Sequence, residues 1–151
     1  MYAPQSREYL RGRFQHAAPG SRLTAAYRWA KGVEGADIGL AGTTAAFHQY
    51  PFYGEDLSNA VSYVAAHGRH DSLSPIRDCR AWRAAIDAGV FDYLVAAPRF
   101  DPADPRRPLP APEGRWARTS SGARSVVRSG PVEVFRVRGP LDPGACPPGG
   151  R

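Results

Sequence analysis

Residues 74–98 read SPIRDCRAWRAAIDAGVFDYLVAAP, and this stretch decides the fold. Ser74-Pro75 offers an N-cap with proline at the first helical position, where its missing N–H costs nothing. Cys79, Trp82 and Ile86 follow at i, i+3 and i+7, the stripe that a helix buries on one side, and Gly89 closes it. Val90 and Phe91 then lead into residues 92–97. Their centre, Tyr93-Leu94-Val95, is apolar without a helical period and stops at Pro98, so it predicts a buried strand.

Upstream, residues 7–14 and 23–33 predict helices. The second has Leu23, Ala26, Tyr27 and Ala30 at spacings of three and four, with Ser21 as N-cap and Gly32 and Gly35 as stops. Residues 36–41, with Ile38 and Leu40, predict a short buried strand. Residues 43–59 predict a long loop, and residues 60–66, carrying Val61, Tyr63 and Val64, a second strand. Downstream, residues 99–113 are proline-rich and charged, which predicts a surface excursion that cannot enter a sheet. Residues 123–128 predict a short helix. Val132 and Val134, with Glu133 between them, predict a half-exposed edge strand over residues 132–137.

Helix, strand, loop, strand, helix, strand is the order of a small parallel sheet covered by helices. The expectation is therefore an α/β fold, three-layer-like, with a short, mostly parallel sheet. About three parallel strands plus a C-terminal edge strand should be flanked by helices. With 151 residues and 42% hydrophobic content, one core is affordable and two are not. Residues 1–146 are read as a single domain and 147–151 as a flexible tail.

The longest apolar stretches fall far short of the roughly 20 residues that cross a bilayer, which predicts a soluble chain as it stands. The first residues, with Arg7, Glu8, Arg11 and Arg13, lack the apolar segment of a secretory signal. A net charge of +6 raises the question of nucleic acid, but the basic residues are scattered and interspersed with acids, so no nucleic-acid partner is expected. Lys31 is the only lysine among 20 Lys and Arg residues, which points to G+C-rich coding.

Two cysteines stand out by their surroundings. Cys79 sits on the inward stripe of a helix and Cys146 in a tail with no core residues near it. Either the two form a disulfide that ties the tail down, or they are two unrelated thiols; the even count favours the disulfide.

His67 and His70, beside Asp71 and with His48 or Asp56, resemble a metal-ligand set, but nothing holds the imidazoles on one face, and no metal is expected. Gly39 and Gly42, before Thr43, superficially suggest a phosphate loop, without the glycine pattern that opens a helix; the bland reading is a sharp strand end. No nucleophile elbow and no motif-placed carboxylate pair is present, so no catalytic residue and no cofactor is assigned. The most suggestive segment is residues 48–59, HQYPFYGEDLSN, expected at the carboxyl end of a strand. Tyr50 and Tyr53 offer ring faces for sugars, and Asp56 and Asn59 offer hydrogen bonds to hydroxyls. The competing reading is that Tyr50, Phe52 and Tyr53 simply pin the loop to the core.

Several stretches in order resemble the C-terminal soluble domain of actinobacterial multi-pass membrane proteins of the GT-C, mannosyltransferase-like group. They are RLTAAYRW (22–29), IGLAG (38–42), YPFYG (50–54), DLSN (56–59), VSYV (61–64), CRAW (79–82), YLV (93–95), GPVEVFRV (130–137) and LDPGAC (141–146). In that family the donor is a polyprenyl-phosphate sugar and the catalytic acid lies between membrane helices. The resemblance therefore implies an extracytoplasmic, non-catalytic accessory domain that contacts glycan or acceptor and partners the membrane-embedded portion of a glycosyltransferase-like protein. The alternative is a stand-alone cytoplasmic α/β protein that binds a nucleotide or small molecule.

Overall fold

A computed structural model describes residues 23–42, 49–100, 107–109 and 111–147. The helix expected at 7–14, Ser21, His48, residues 101–106 of the proline-rich segment and residues 148–151 lie outside the described residues. Helix α1 (Thr24–Ala30) precedes strand β1 (Asp37–Ala41), and a 3-10 turn (Tyr50–Tyr53) precedes β2 (Ala60–Tyr63). A small hairpin of β3 (Ala65–His67) and β4 (Leu73–Pro75) leads to α2 (Cys79–Ala88) and β5 (Tyr93–Ala96). Two short strands, β6 (Arg99–Phe100) and β7 (Pro108–Leu109), pair before α3 (Pro112–Arg118). The chain finishes with β8 (Ala123–Ser129), β9 (Val132–Val137) and a 3-10 turn (Pro143–Ala145).

The fold is α/β. Five strands form one sheet in the order β2-β1-β5-β9-β8. The three expected strands are parallel neighbours: Ile38 on β1 faces Val61 on one side and Tyr93 on the other. β9 joins β5 antiparallel, with Val134 opposite Val95, and β8 pairs antiparallel with β9.

Strand alternation sends successive side chains to opposite faces, so instead of the single core expected from the length, the sheet separates two buried clusters, one on each face. Ile38, Leu40, Val95, Val132 and Val134 pack with Ala26, Ala30 and Phe52 on the α1 side. Ala41, Leu94, Ala96 and Phe135 pack with Trp82, Ile86 and Trp116 on the side of α2 and α3. Three layers result. The stripe of Cys79, Trp82 and Ile86 is buried as its spacing requires, and each such large apolar side chain contributes roughly 1.5–3 kcal/mol through burial.

Several local expectations are corrected. The N-cap of α2 is Asp78, whose carboxylate accepts from the N–H groups of Arg80 (3.0 Å) and Ala81 (3.1 Å); Ser74 and Pro75 end strand β4 instead. Residues 60–66 do not form one strand: β2 stays in the main sheet, while β3 leaves it for the hairpin. The C-terminal strand is not an edge. β9 is interior, buried from Val132 to Phe135, and β8 takes the edge. That β8 was expected as helix follows from a bulge, since a register shift between Ser125 and Val127 leaves Val126 unopposed and breaks the alternation by which a strand is read. The proline-rich excursion also ends earlier than expected: Pro112 opens α3, and Glu113 is 1% exposed.

The glycines near β1 have packing reasons. A Cβ on Gly39 would lie 2.9 Å from Leu94 Cδ2 and 3.0 Å from Val64 Cγ2. Gly42 has φ +87° and brings β1 so close to the end of β5 that a Cβ would lie 2.2 Å from the Ala97 carbonyl oxygen.

Candidate functional site: a tyrosine pair and a clasped tail

The segment singled out for ligand contact begins with a 3-10 turn that packs Phe52 fully into the α1-side core, edge-on to Tyr27 at 5.3 Å. With Phe52 turned inward, Tyr50 and Tyr53 face outward as a tilted pair with centroids 6.3 Å apart, and Tyr50 is 38% exposed. Half-buried Tyr63, at the end of β2, stands behind them. Burial pushes its phenol pKa above 10.0, the main-chain N–H of Gln49 opposes this, and the neighbouring Tyr53 and Tyr50 add to it. Phe52 therefore pins the loop to the core, whereas Tyr50 is exposed and Tyr53 half-buried.

Asp56 and Asn59 part company. Asn59 is 4% exposed, and its side chain is spent on the main chain. Its carbonyl accepts from Ala36 N–H at 2.9 Å, and its amide donates to Val33 O at 2.8 Å and Phe52 O at 3.1 Å. It fastens the loop to the amino ends of β1 and β2 and has no hydrogen to offer a sugar. Asp56 is exposed and accepts from the hydroxyl of Ser58 at 2.8 Å; Ser58 in turn accepts from Gly35 N–H at 2.8 Å. These bonds stiffen the loop beside the tyrosines.

Cys79 and Cys146 are disulfide-bonded, with Cα atoms 6.0 Å apart. The bond is one of three attachments along a single stripe of α2. One turn further, Arg83, fully buried, donates to Asp142 O at 3.0 Å, to Trp116 O at 2.7 and 3.2 Å, and to Thr119 Oγ1 at 3.0 Å. One turn beyond that, Asp87 accepts from Leu141 N–H at 2.7 Å. Residues four apart share a helix face, so Cys79, Arg83 and Asp87 clasp the tail together and drive Leu141 to zero exposure. Burial pulls the Arg83 pKa down, and Asp142 and Asp87 oppose it. Sequence reading found only the cysteine; the i, i+4, i+8 spacing of the other two was the available signal.

Also unforeseen are two carboxylates at the carboxyl end of β5. Glu113 pairs with Arg99 at 2.5 Å and Glu133 with Arg118 at 2.6 Å. Glu113 Oε2 and Arg99 Nε both lack a partner, yet they belong to the two members of one ion pair, where a fork-to-fork geometry would join them. Glu133 is the residue that made β9 look half-exposed; it is buried because Arg118 meets it.

His67 lies on β3 and His70 on the following 3-10 turn, both exposed. Among the described residues no group of three or more His, Cys, Asp or Glu side chains is placed to hold a metal, and no helix is long and apolar enough to cross a membrane. In comparisons with known proteins, no family model, no curated protein and no solved structure matched this chain.

Proposed function

We propose that this chain serves as a non-catalytic, extracytoplasmic accessory domain of a membrane-embedded glycosyltransferase-like protein, with Tyr50 and Tyr53 contacting glycan on the acceptor side. The observation that carries the reading is the clasp. A disulfide that closes 67 residues of chain and fixes a buried leucine suits an oxidising compartment, where such bonds form and persist. The sequence resemblance supplies the membrane partner and the polyprenyl-phosphate sugar as donor. The outward tyrosine pair on a stiffened loop supplies a surface suited to sugar rings.

The test uses the full gene product in its native membrane. A membrane-impermeant label applied to intact cells should react with a tag placed after Arg151; labelling only after lysis would overturn the compartment. For the glycan contact, Tyr50→Ala with Tyr53→Ala should weaken binding to isolated cell-envelope polysaccharide without unfolding the domain. Unchanged binding would remove the tyrosines from the account.

A further inference from the structure

Basic residues occur along the whole chain, but their excess over acids is concentrated. Residues 115–138, running from the middle of α3 through β8 and β9, hold six arginines and one acid, a net charge of +5 where the whole chain carries +6. Arg115, Arg118, Arg124, Arg128, Arg136 and Arg138 are all exposed, and among the described residues only Arg118 closes an ion pair, with Glu133.

These arginines surround an open sheet edge. β8 pairs with β9 on one side and with no described strand on the other, so a row of main-chain N–H and C=O groups over Ala123–Ser129 is left without a strand partner. Such an edge accepts an extended chain as a further strand, with main-chain hydrogen bonds supplying affinity and side chains supplying the choice of partner. The opposite edge, β2, carries no charged residue, so charge is not how this sheet guards its edges in general.

The bulge decides where the charges stand. Arg124 lies opposite Arg136 and shares the α1 face with Val134, whereas Arg128 lies opposite Glu133 and shares the α3 face with Phe135. Four residues apart in a regular strand, the two arginines would share one face; the extra residue at Val126 sends them to opposite faces. A flat polyanion, such as an acidic membrane surface or a nucleic-acid duplex, meets one face and leaves the other arginine behind. A strand lying in the plane of the sheet sends its side chains to both. A second copy of this chain is disfavoured, because pairing β8 with itself brings the arginines of both copies to one seam.

We infer that the β8 edge takes an extended acidic peptide segment as a sixth strand, with one acid for Arg124 and one for Arg128. The positions of β9 that face these arginines, Arg136 and Glu133, are three residues apart, so the acids of the added strand are spaced by three. The edge shares no residue with the tyrosine pair and does not depend on the compartment, so either reading can fail alone.

The test titrates the isotopically labelled chain with an eight-residue Thr/Val peptide that carries two Glu three residues apart. Saturable amide shifts along β8 are expected, with slowed hydrogen exchange of β8 main-chain N–H groups and an affinity that falls as salt rises. A peptide of the same composition with its Glu two apart should bind roughly tenfold more weakly or worse, and so should the first peptide fully N-methylated on its main chain. Arg124→Ser and Arg128→Ser, both at exposed positions, should keep the parent unfolding midpoint while each weakens binding roughly tenfold. The inference is overturned by no saturable binding of the first peptide, by equal binding of the two spacings or of the N-methylated form, or by variants that bind like the parent. Tighter binding to phosphatidylglycerol vesicles or to duplex DNA than to the peptide also overturns it.

Discussion

Asp87 accepts a hydrogen bond from the main-chain N–H of Leu141 at 2.7 Å, two helical turns along α2 from the cysteine bonded to Cys146. Helix and tail are thus joined at both ends of one stripe, with Arg83 between them. The tail carries few apolar residues, so its order is supplied by these attachments rather than by a core of its own.

Removing the disulfide by Cys79→Ala with Cys146→Ala should lower stability by about 4 kcal/mol, the chain-entropy value for a loop of this length. Denaturant unfolding of the oxidised parent and the double variant measures it. A loss below about 1 kcal/mol would mean that the hydrogen bonds of Arg83 and Asp87 hold the tail without it.

Replacing Arg83 is expected to be at least as harmful as replacing an ordinary core residue. Arg83→Leu leaves the carbonyls of Trp116 and Asp142 without their donor, and the cost should be on the order of 3 kcal/mol. Arg83→Lys should rescue little, because one ammonium cannot reproduce a fork that spans two elements. Urea midpoints for the two variants decide this.

The sequence told much about the elements and less about their neighbours. The stripe on α2 and the apolar centre of β5 were legible because burial imposes a period on them. Glu133 misled because a carboxylate inside a strand usually marks a solvent face. Its partner Arg118 sits on another element, and no local pattern announces such a pairing. Val126 misled for a different reason: a bulge inserts one residue and shifts the phase of alternation. Within the candidate site, Tyr50, Tyr53 and Asp56 were singled out by residue type alone. The role of Asn59 was hidden because its partners, Val33 and Ala36, lie more than twenty residues away.

Asn59 and the tyrosines should therefore separate cleanly under mutation. Asn59→Ala breaks three hydrogen bonds to buried main chain and should cost roughly 2–3 kcal/mol in thermal or chemical unfolding. Tyr50→Ala, at a partly exposed position, should cost well under half of that. Equal losses would show that the outward tyrosines serve the fold.

Asp56 should titrate below its ordinary 3.8, chiefly because the Ser58 hydroxyl donates to it; desolvation opposes this, and the Ser58 N–H adds to it. A carboxyl depressed in the folded state contributes stability above its unfolded value, and that contribution is lost as pH falls through the folded value. An NMR titration of the side-chain carboxyl carbon should show the low midpoint in the parent and its return toward 3.8 in Ser58→Ala. Equal midpoints in the two proteins would dissolve the relay from Asp56 through Ser58 to Gly35.

The most direct measurement counts thiols in the protein as cells make it. Cells expressing the native gene product are quenched in acid, denatured without reductant, and alkylated with a mass tag. Cys79 and Cys146 should take up no tag until reductant is added, and then one each. Two tagged cysteines before reduction would place the domain in a reducing compartment and contradict the extracytoplasmic assignment.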